Sequence, residues 1–330
     1  MRFFYLLTTV SVLSLLIPTS CANNESGSLE LDFSGAVKVV PDSFKIENIV
    51  INPVVMRVGG ASLVLLNHKR DTIFDAFSTP DLTYESSGIT AGNGPDEVPM
   101  VMWTTLEHGL EPDCLTFLTG TPSEIVTMSV PDFRIVGRQV HKMPPGWPGE
   151  QDMLMVRGDT VLAQRFDEPV DWVIVDGRGN CVATLDIPVP DDMIALAGDD
   201  SFTRMLIHSS IGLAAPDGSR VAVCTKIYPS VNIFDNEGRR IITVSMPYTP
   251  DLKNSILAAD CNSKGIYICY HDSADKENKE YIIASIDWNG HLMQSYRISG
   301  LLAAPMAVDN EGRYVYFGGY DDDNLYRITL

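Results

Sequence analysis

Residues 95–102, which read PDEVPMVM, decide the fold, because residues 148–155, PGEQDMLM, repeat their form P-x-E-x-x-M-x-M. The first methionines of the two stretches, Met100 and Met153, are 53 residues apart. A similarity that recurs at a nearly constant period indicates a repeat architecture. Extending the register in both directions predicts six copies in all, with the remaining equivalent positions at Met56, Met205, Ile256 and Met306.

Short apolar strands separated by turn residues follow one another within each copy. Residues 221–224 (VAVC) and 266–269 (IYIC) come after turns that contain Asp and Gly, and a second turn class recurs further along, as at residues 235–238. Asp bonds its own backbone in such turns, and Gly accepts a positive φ. Four strands per copy predict an all-β fold, a six-bladed β-propeller with the register methionines in its core. A two-sheet β-sandwich with accidental repetition is the alternative.

The last copy predicts how the ring is closed. It ends at Leu330 after three strands, so the fourth strand of the sixth blade must come from the N-terminal part of the chain. Closing the ring in this way removes the exposed edges of an open stack. Residues 29–33, 36–40 and 46–51 are the candidates, and residues 36–40 are favoured.

The first 30 residues predict export and anchoring. Arg2 is followed by an apolar stretch over residues 3–17, too short to span a bilayer, so residues 1–20 are interpreted as a lipoprotein signal peptide. The following Cys21 fits a bacterial lipobox and is predicted to carry lipid, with ordinary cleavage after Ala22 as the alternative. Residues 21–30 are then a flexible tether, and residues 31–330 form a single propeller domain.

The charge balance excludes some partners. The chain of 330 residues carries 43 acidic and 24 basic residues, a formal net charge of −19. Nucleic-acid binding needs clustered Lys and Arg, and so does attraction to an anionic membrane surface. The sequence therefore predicts no nucleic-acid partner, and membrane contact through the lipid anchor alone.

The leader, the repeat length and the signature G-x-G-P-x-E at residues 92–97 together carry a family resemblance. The chain resembles the TolB-like six-bladed propeller lipoproteins of Gram-negative bacteria over residues 30–330. This resemblance implies a lipoprotein of the cell envelope, held in the outer membrane. It implies no activity, because most members of the family have no assigned function.

Ligands of propellers usually bind over the central channel, on the face that carries the inter-blade loops and the loops between second and third strands. The inter-blade loops supply three candidate ligand-binding residues, Glu97, Trp147 and Glu150. Alternatively, the two glutamates accept backbone N–H groups of their own loops, and the tryptophan anchors its loop rather than stacking on a sugar. The other loops supply His68, Arg70, Arg165, Asp167, Tyr228, Asp272, Tyr320 and Asp321.

Signatures of catalysis and of cofactor binding are absent. The sequence has no G-x-S-x-G, no H-E-x-x-H and no P-loop, and it has no C-x-x-C pair for zinc. His208 is followed directly by Ser209 and Ser210, but adjacent residues of a strand point to opposite faces, which does not favour a nucleophile–base pair there. Residues 321–324 (DDDN) resemble a calcium loop in composition, with a solvated turn as the alternative. No catalytic residue and no cofactor are therefore predicted, and calcium stays the one candidate ion.

Two functions follow from these observations. The first is a non-catalytic binding or scaffolding lipoprotein whose partner is an unknown protein or glycan. The alternative is a metal-dependent propeller hydrolase or lyase with Glu97, Glu150 and Asp321 as ligands. The remaining cysteines are odd in number, and Cys224 and Cys269 are interpreted as small core residues.

Overall fold

The computed structural model describes thirteen stretches of the chain. These are residues 27–46, 53–67, 71–102, 105–109, 111–120, 123–142, 153–157, 160–165, 171–253, 255–271, 280–299, 305–318 and 323–330. Within them no helix is long and apolar enough to cross a membrane.

Strands make up almost all of the regular structure. Three short strands come first: β1 (Gly27–Glu30), β2 (Val37–Lys38) and β3 (Asp42–Lys45). The first sheet then contains β4 (Pro53–Gly59), β5 (Ser62–Asn67), β6 (Thr72–Ser78), β7 (Tyr84–Ala91) and β8 (Glu97–Val98). The second contains β9 (Glu107–His108), β10 (Cys114–Leu118), β11 (Glu124–Ser129) and β12 (Ile135–Val140). The third contains β13 (Met153–Arg157), β14 (Thr160–Arg165), β15 (Asp171–Val175) and β16 (Cys181–Leu185).

Two short helices, α1 (Asp191–Ala197) and α2 (Ser201–Ile207), connect the third sheet to the fourth. The fourth sheet contains β17 (Ser210–Ala214), β18 (Arg220–Thr225), β19 (Ser230–Asp235) and β20 (Arg240–Ser245). The fifth contains β21 (Ile256–Cys261), β22 (Gly265–Tyr270), β23 (Glu280–Asp287) and β24 (Leu292–Ser299). The sixth contains β25 (Met306–Val308), β26 (Tyr314–Gly318) and β27 (Asn324–Thr329).

The six sheets form a β-propeller, as the repeats predicted. Within each sheet the consecutive strands pair antiparallel, and each neighbouring pair of sheets shares a cluster of buried apolar side chains. The last cluster joins Ala307 and Tyr316 of the sixth sheet to Met56 and Leu63 of the first. Because each sheet is covered on both faces, its central strands are continuously apolar. Every residue of β22 is buried, Cys269 included, and Cys224 of β18 is buried as well, so both cysteines are core residues as predicted.

The second turn class lies between the third and fourth strands, where it was predicted. In the fourth sheet, Oδ1 of Asp235 accepts the backbone N–H groups of Glu237 at 3.0 Å and Arg239 at 2.9 Å. Gly238 follows with φ of 80°, a conformation that L residues rarely adopt. The equivalent turn of the fifth sheet repeats this arrangement with Asp287 and Gly290.

The N-terminal segment follows the outer edges of three sheets in turn. Strand β1 pairs in parallel with β20, β2 pairs in parallel with β24, and β3 pairs antiparallel with β27. The fourth strand of the sixth sheet is therefore Asp42–Lys45. None of the three candidate segments contains this strand. The favoured residues 36–40 contain Val37–Lys38, which is a fifth strand of the fifth sheet, and residues 29 and 30 belong to β1, which pairs with the fourth sheet.

The methionine register falls on a first strand in four sheets and misses it in two. Met56, Ile256 and Met306 are buried on first strands, and Met153 begins β13. Met100, in contrast, is 40% exposed and precedes the short β9, while Met205 is 38% exposed on α2. The reason is that the connections into the second and fourth sheets contain extra residues, which shift the first strands away from a constant step.

Candidate functional site

The cleft face is the face of the ring that carries the loops between second and third strands. The loops predicted for this role do connect those strands, for example residues 226–229 between β18 and β19. The connections from one sheet to the next end on the same face, because antiparallel strands alternate in direction. Most of the predicted binding residues, together with the lipidation site, lie outside the described residues: Cys21, His68, Arg70, Trp147, Glu150, Asp167, Asp272, Tyr320 and Asp321.

Glu97 does not lie at the mouth of the channel. It begins β8, which pairs with β7 and forms the outer edge of the first sheet. Its carboxylate accepts the backbone N–H of Gly94 at 2.9 Å. A Cβ added to Gly92 would overlap that carboxylate. The predicted position at the channel mouth was wrong, and the glutamate holds its own loop, which was the alternative interpretation.

Charged side chains fill the central channel at the end away from the cleft face. Arg57 of the first sheet contacts Glu107 of the second at 2.7 Å and Asp260 of the fifth at 3.3 Å. His108 of the second sheet lies 3.2 Å from the carbonyl oxygen of Cys261 in the fifth. The second and fifth sheets are opposite in a ring of six, so these contacts cross the axis. We call Arg57, Glu107 and Asp260 the axial triad.

The axial triad is buried and has one more carboxylate than cations. Burial raises the pKa values of Glu107 and Asp260, and Arg57 opposes this rise. Asp260 is also bonded by two backbone N–H groups, those of Cys261 and Val308, each at 2.8 Å. Together with the two ion pairs of Arg57, these bonds tie the first strands of four sheets together. The geometry indicates a structural role for the triad.

The main concavity of the described residues opens on the cleft face, away from the axis, between the third and fourth sheets. It has a volume of about 990 Å³, at the upper end of the roughly 300–1,000 Å³ typical of small-molecule sites. Its walls come from the ends of β14, β16 and β18, the start of β15, and α2. We call it the inter-sheet cleft. Of the predicted residues, Tyr228 lines it, and Arg165 forms an ion pair with the lining residue Asp171 at 3.0 Å.

Helix α2 forms one wall of the cleft because its sequence caps and anchors it. The side chain of Asp200 accepts the backbone N–H of Thr203 at 2.9 Å, which satisfies one of the free donors at the helix start. Ile207 is buried against Ile227 and Tyr228 at the base of the helix. On the cleft side, Phe202 stays 61% exposed.

A hydrogen-bonded group forms the floor of the cleft. Ser210 accepts the indole N–H of Trp172 at 2.8 Å and donates to the carbonyl oxygen of His208 at 2.9 Å. The amide nitrogen of Gln164 donates to the same carbonyl at 2.8 Å. The Ser210 proton is thus directed to a backbone carbonyl rather than to a base.

Two residues that line the cleft each have a buried polar atom with no hydrogen-bond partner within the described part of the chain. These atoms are Oε1 of Gln164 and the hydroxyl of Tyr228. Burial and then the nearby Tyr248 raise the pKa of Tyr228, so its hydroxyl keeps its proton at neutral pH. A buried polar atom without a partner costs roughly 1–3 kcal/mol. Such atoms mark a place where a bound molecule recovers lost hydrogen bonds.

The insertion that builds the cleft left a weak signal in the sequence. Residues 191–207 contain no proline and one glycine, and their apolar residues Met193, Ala197 and Ile207 recur near helical spacing. The register instead assigned Met205 to a strand. Among the residues that the structure describes, no group of three or more His, Cys, Asp or Glu side chains could hold a metal.

Two solved structures share this fold over most of the chain. One is a protein from Bacteroides fragilis NCTC 9343 whose description classes it as exported. It is 10% identical, with a TM-score of 0.51, and the match covers 91% of this chain and 98% of that one.

The other is a member of the duf4221 family from Bacteroides vulgatus ATCC 8482. It is 9% identical, with a TM-score of 0.53, and the match covers 89% and 96% of the two chains. No protein-family model and no curated protein matches the sequence. At these identities the likeness supports the six-bladed propeller fold, and the resemblance to TolB-like proteins remains a prediction.

Proposed function

We propose that this protein is an exported, lipid-anchored binding module that holds a ligand in the inter-sheet cleft without chemical conversion. One observation carries the proposal. The main concavity of the described residues is lined by two residues, Gln164 and Tyr228, whose buried polar atoms have no partner in the described part of the chain. Convergent polar groups in a concavity of this size are the usual mark of a binding site.

The chemistry of the cleft favours binding over catalysis. A nucleophilic hydroxyl needs a base within hydrogen-bond reach, and Ser210 gives its proton to the carbonyl of His208. Asp171 is neutralised by Arg165, and so it is not a free base. The remaining polar groups can orient a ligand, but none of them is activated to attack one.

The path of the N-terminal segment is consistent with an anchored propeller. Gly27 pairs with Ile242, near the turn between β19 and β20. That turn lies on the face opposite the inter-sheet cleft. A lipid on Cys21 would therefore hold the propeller by this opposite face and leave the cleft pointing away from the membrane. The lipobox-like leader and the TolB-like resemblance support export and anchoring in the outer membrane.

A mixed ligand screen tests the binding function. The purified domain, residues 27–330, would be screened by saturation-transfer NMR against neutral sugars, acidic sugars, short peptides and nucleosides. We expect at least one class to bind, and binding to be lost in Phe202→Glu, which places a charge at the cleft wall. Ile194→Glu is the matched control, because Ile194 is 56% exposed on α1 and does not line the cleft. Equal binding by both variants would refute the cleft as the site.

The anchor is tested separately. Replacing Cys21 with Ser in the full-length chain should move the protein from the membrane fraction to the soluble fraction, because the acyl chains contribute about 0.8 kcal/mol per buried methylene. Membrane partitioning that is unchanged in this variant would contradict lipidation.

A further inference from the structure

Resting on the proposed cleft-binding function, we infer that the ligand of the inter-sheet cleft is a neutral oligosaccharide, with one pyranose ring stacked on Phe202 and its hydroxyl groups bonded to Gln164, Tyr228 and His208.

The ion pairs of the cleft favour a neutral ligand over a cationic one. Asp171 is paired with Arg165 at 3.0 Å, and Asp186 with Arg240 at 3.1 Å. A guanidinium nitrogen of Arg204 donates to the carbonyl of Gly198 at 3.4 Å. The cleft thus offers no uncompensated carboxylate for a cationic ligand. An acidic ligand would be repelled by the negative net charge of the chain, −19, which weakens its binding.

The free hydrogen-bonding groups match hydroxyls. Because the amide nitrogen of Gln164 is committed to the carbonyl of His208, its oxygen is an acceptor and needs a donor from the ligand. The Tyr228 hydroxyl can both donate and accept. Burial lowers the pKa of His208 more than Asp171 raises it, so the imidazole is neutral and offers one donor and one acceptor. A sugar hydroxyl is itself both donor and acceptor, and one ring presents several of them.

The wall of the cleft provides an apolar surface for the face of a sugar ring. Phe202 and Met205 are three residues apart on α2, so they lie on the same side of the helix, and both line the cleft. A large apolar side chain exposed beside buried polar atoms forms an amphipathic surface. A pyranose has the same character, with C–H groups on its face and hydroxyls at its rim. A peptide also carries amides and apolar groups, and it is the competing ligand in the test.

The test measures affinity for defined probes. The wild-type domain would be screened on an array of neutral oligosaccharides, and hits would be titrated by calorimetry alongside trigalacturonate and N-acetylated tripeptides. We expect a neutral oligosaccharide to bind. Phe202→Ala should weaken it about tenfold or more, and Phe202→Trp should retain binding. Tyr228→Phe should weaken it about 2- to 12-fold, the range for one lost hydrogen bond. Ile194→Ala is the matched control and should bind like the wild type.

Three results would overturn the inference. If tripeptides or trigalacturonate bind in the cleft and no neutral sugar does, the ligand class is wrong while the binding function stands. If a neutral sugar binds but Phe202→Ala and Tyr228→Phe leave its affinity unchanged, the site is wrong. If no probe of any class binds in a manner sensitive to Phe202→Glu, both the inference and the proposed function fail.

Discussion

Replacing Arg57 with Met should be among the most destabilising single changes in the core. Methionine keeps much of the volume but removes the only cation of the axial triad, which leaves Glu107 and Asp260 buried without a counter-charge. At an effective dielectric constant of about 20, contacts of 2.7 and 3.3 Å each have a gross attraction of roughly 5–6 kcal/mol. Desolvation offsets much of this, and removing one partner of a buried ion pair costs about 3–5 kcal/mol. We expect a loss in that range at pH 7.5.

The loss should depend on pH with a definite sign. Burial raises the pKa values of Glu107 and Asp260, and removing Arg57 takes away the effect that opposes the rise. A carboxyl group whose folded pKa exceeds its unfolded value contributes stability that is complete below the unfolded pKa, near 4. That contribution is lost as the pH rises through the folded pKa. The deficit of Arg57→Met should therefore shrink from pH 7.5 towards pH 5.

Urea unfolding of the domain, followed by circular dichroism at both pH values, measures this effect. Adding Glu107→Gln to Arg57→Met removes one of the two unpaired charges and should restore about 1–2 kcal/mol. Glu107→Gln alone leaves Arg57 balanced by Asp260 and should cost less than Arg57→Met. A loss below about 1 kcal/mol, or the same loss at pH 5 and pH 7.5, would refute the assignment of a charged, buried triad.

Three further outcomes are expected. Gly92→Ala should lower the free energy of unfolding by about 1–3 kcal/mol, because the added Cβ would overlap the Glu97 carboxylate. Gly35→Ala is the control: an added Cβ there meets no atom within 4 Å, so the free energy of unfolding should change by no more than about 0.5 kcal/mol. Equal effects of the two substitutions would contradict the close packing of the Gly92 loop. Tyr228→Phe should leave the stability of the unliganded domain unchanged or raise it by about 1 kcal/mol, since the lost hydroxyl has no hydrogen-bond partner among the described residues. A clear loss of stability in thermal unfolding would show that the hydroxyl does have a hydrogen-bond partner. In the domain that lacks Cys21, maleimide should label Cys181 in the folded state, and mass spectrometry should find the three buried thiols labelled only after denaturation, those of Cys224, Cys261 and Cys269.

Local sequence patterns predicted the propeller because each blade repeats the same local physics. Strands buried on both faces must be apolar, as in residues 266–269, and the turns between them need Asp and Gly at fixed offsets, as at Asp235 and Gly238. These requirements act within a few residues of the chain. The sequence therefore shows these patterns, although it is only 9–10% identical to the two solved structures that share the fold.

Edge pairing and register were harder to predict, because they depend on alternatives that look alike in sequence. Several short segments near the N-terminus could have completed the sixth sheet, and only the full pairing shows that Asp42–Lys45 does so while Val37–Lys38 pairs with the fifth sheet. Met205 matched the period but lies on a helix. Counting residues from one repeat to the next cannot reveal an inserted helix when the average distance between repeats stays the same.

Part of the candidate site could also be predicted from the sequence, and part could not. Two residues predicted from the sequence belong to this region: Tyr228 lines the inter-sheet cleft, and Arg165 pairs with the lining residue Asp171. The predicted ligand position was over the central channel, whereas the described cleft lies between two sheets. Gln164, Trp172 and Phe202 were not among the predicted binding residues, because nothing in their immediate sequence marks them.

The sequence by itself determined the number of blades and the turns, and it predicted the export signal and the face on which a ligand would bind. All of these depend on composition or on contacts between residues close in the chain. Only the tertiary structure decided that Arg57 contacts Asp260, and that α2 stands over the floor formed by Trp172 and Ser210. Those contacts join residues from different sheets, and their energies depend on distance and burial in three dimensions, which no local pattern encodes.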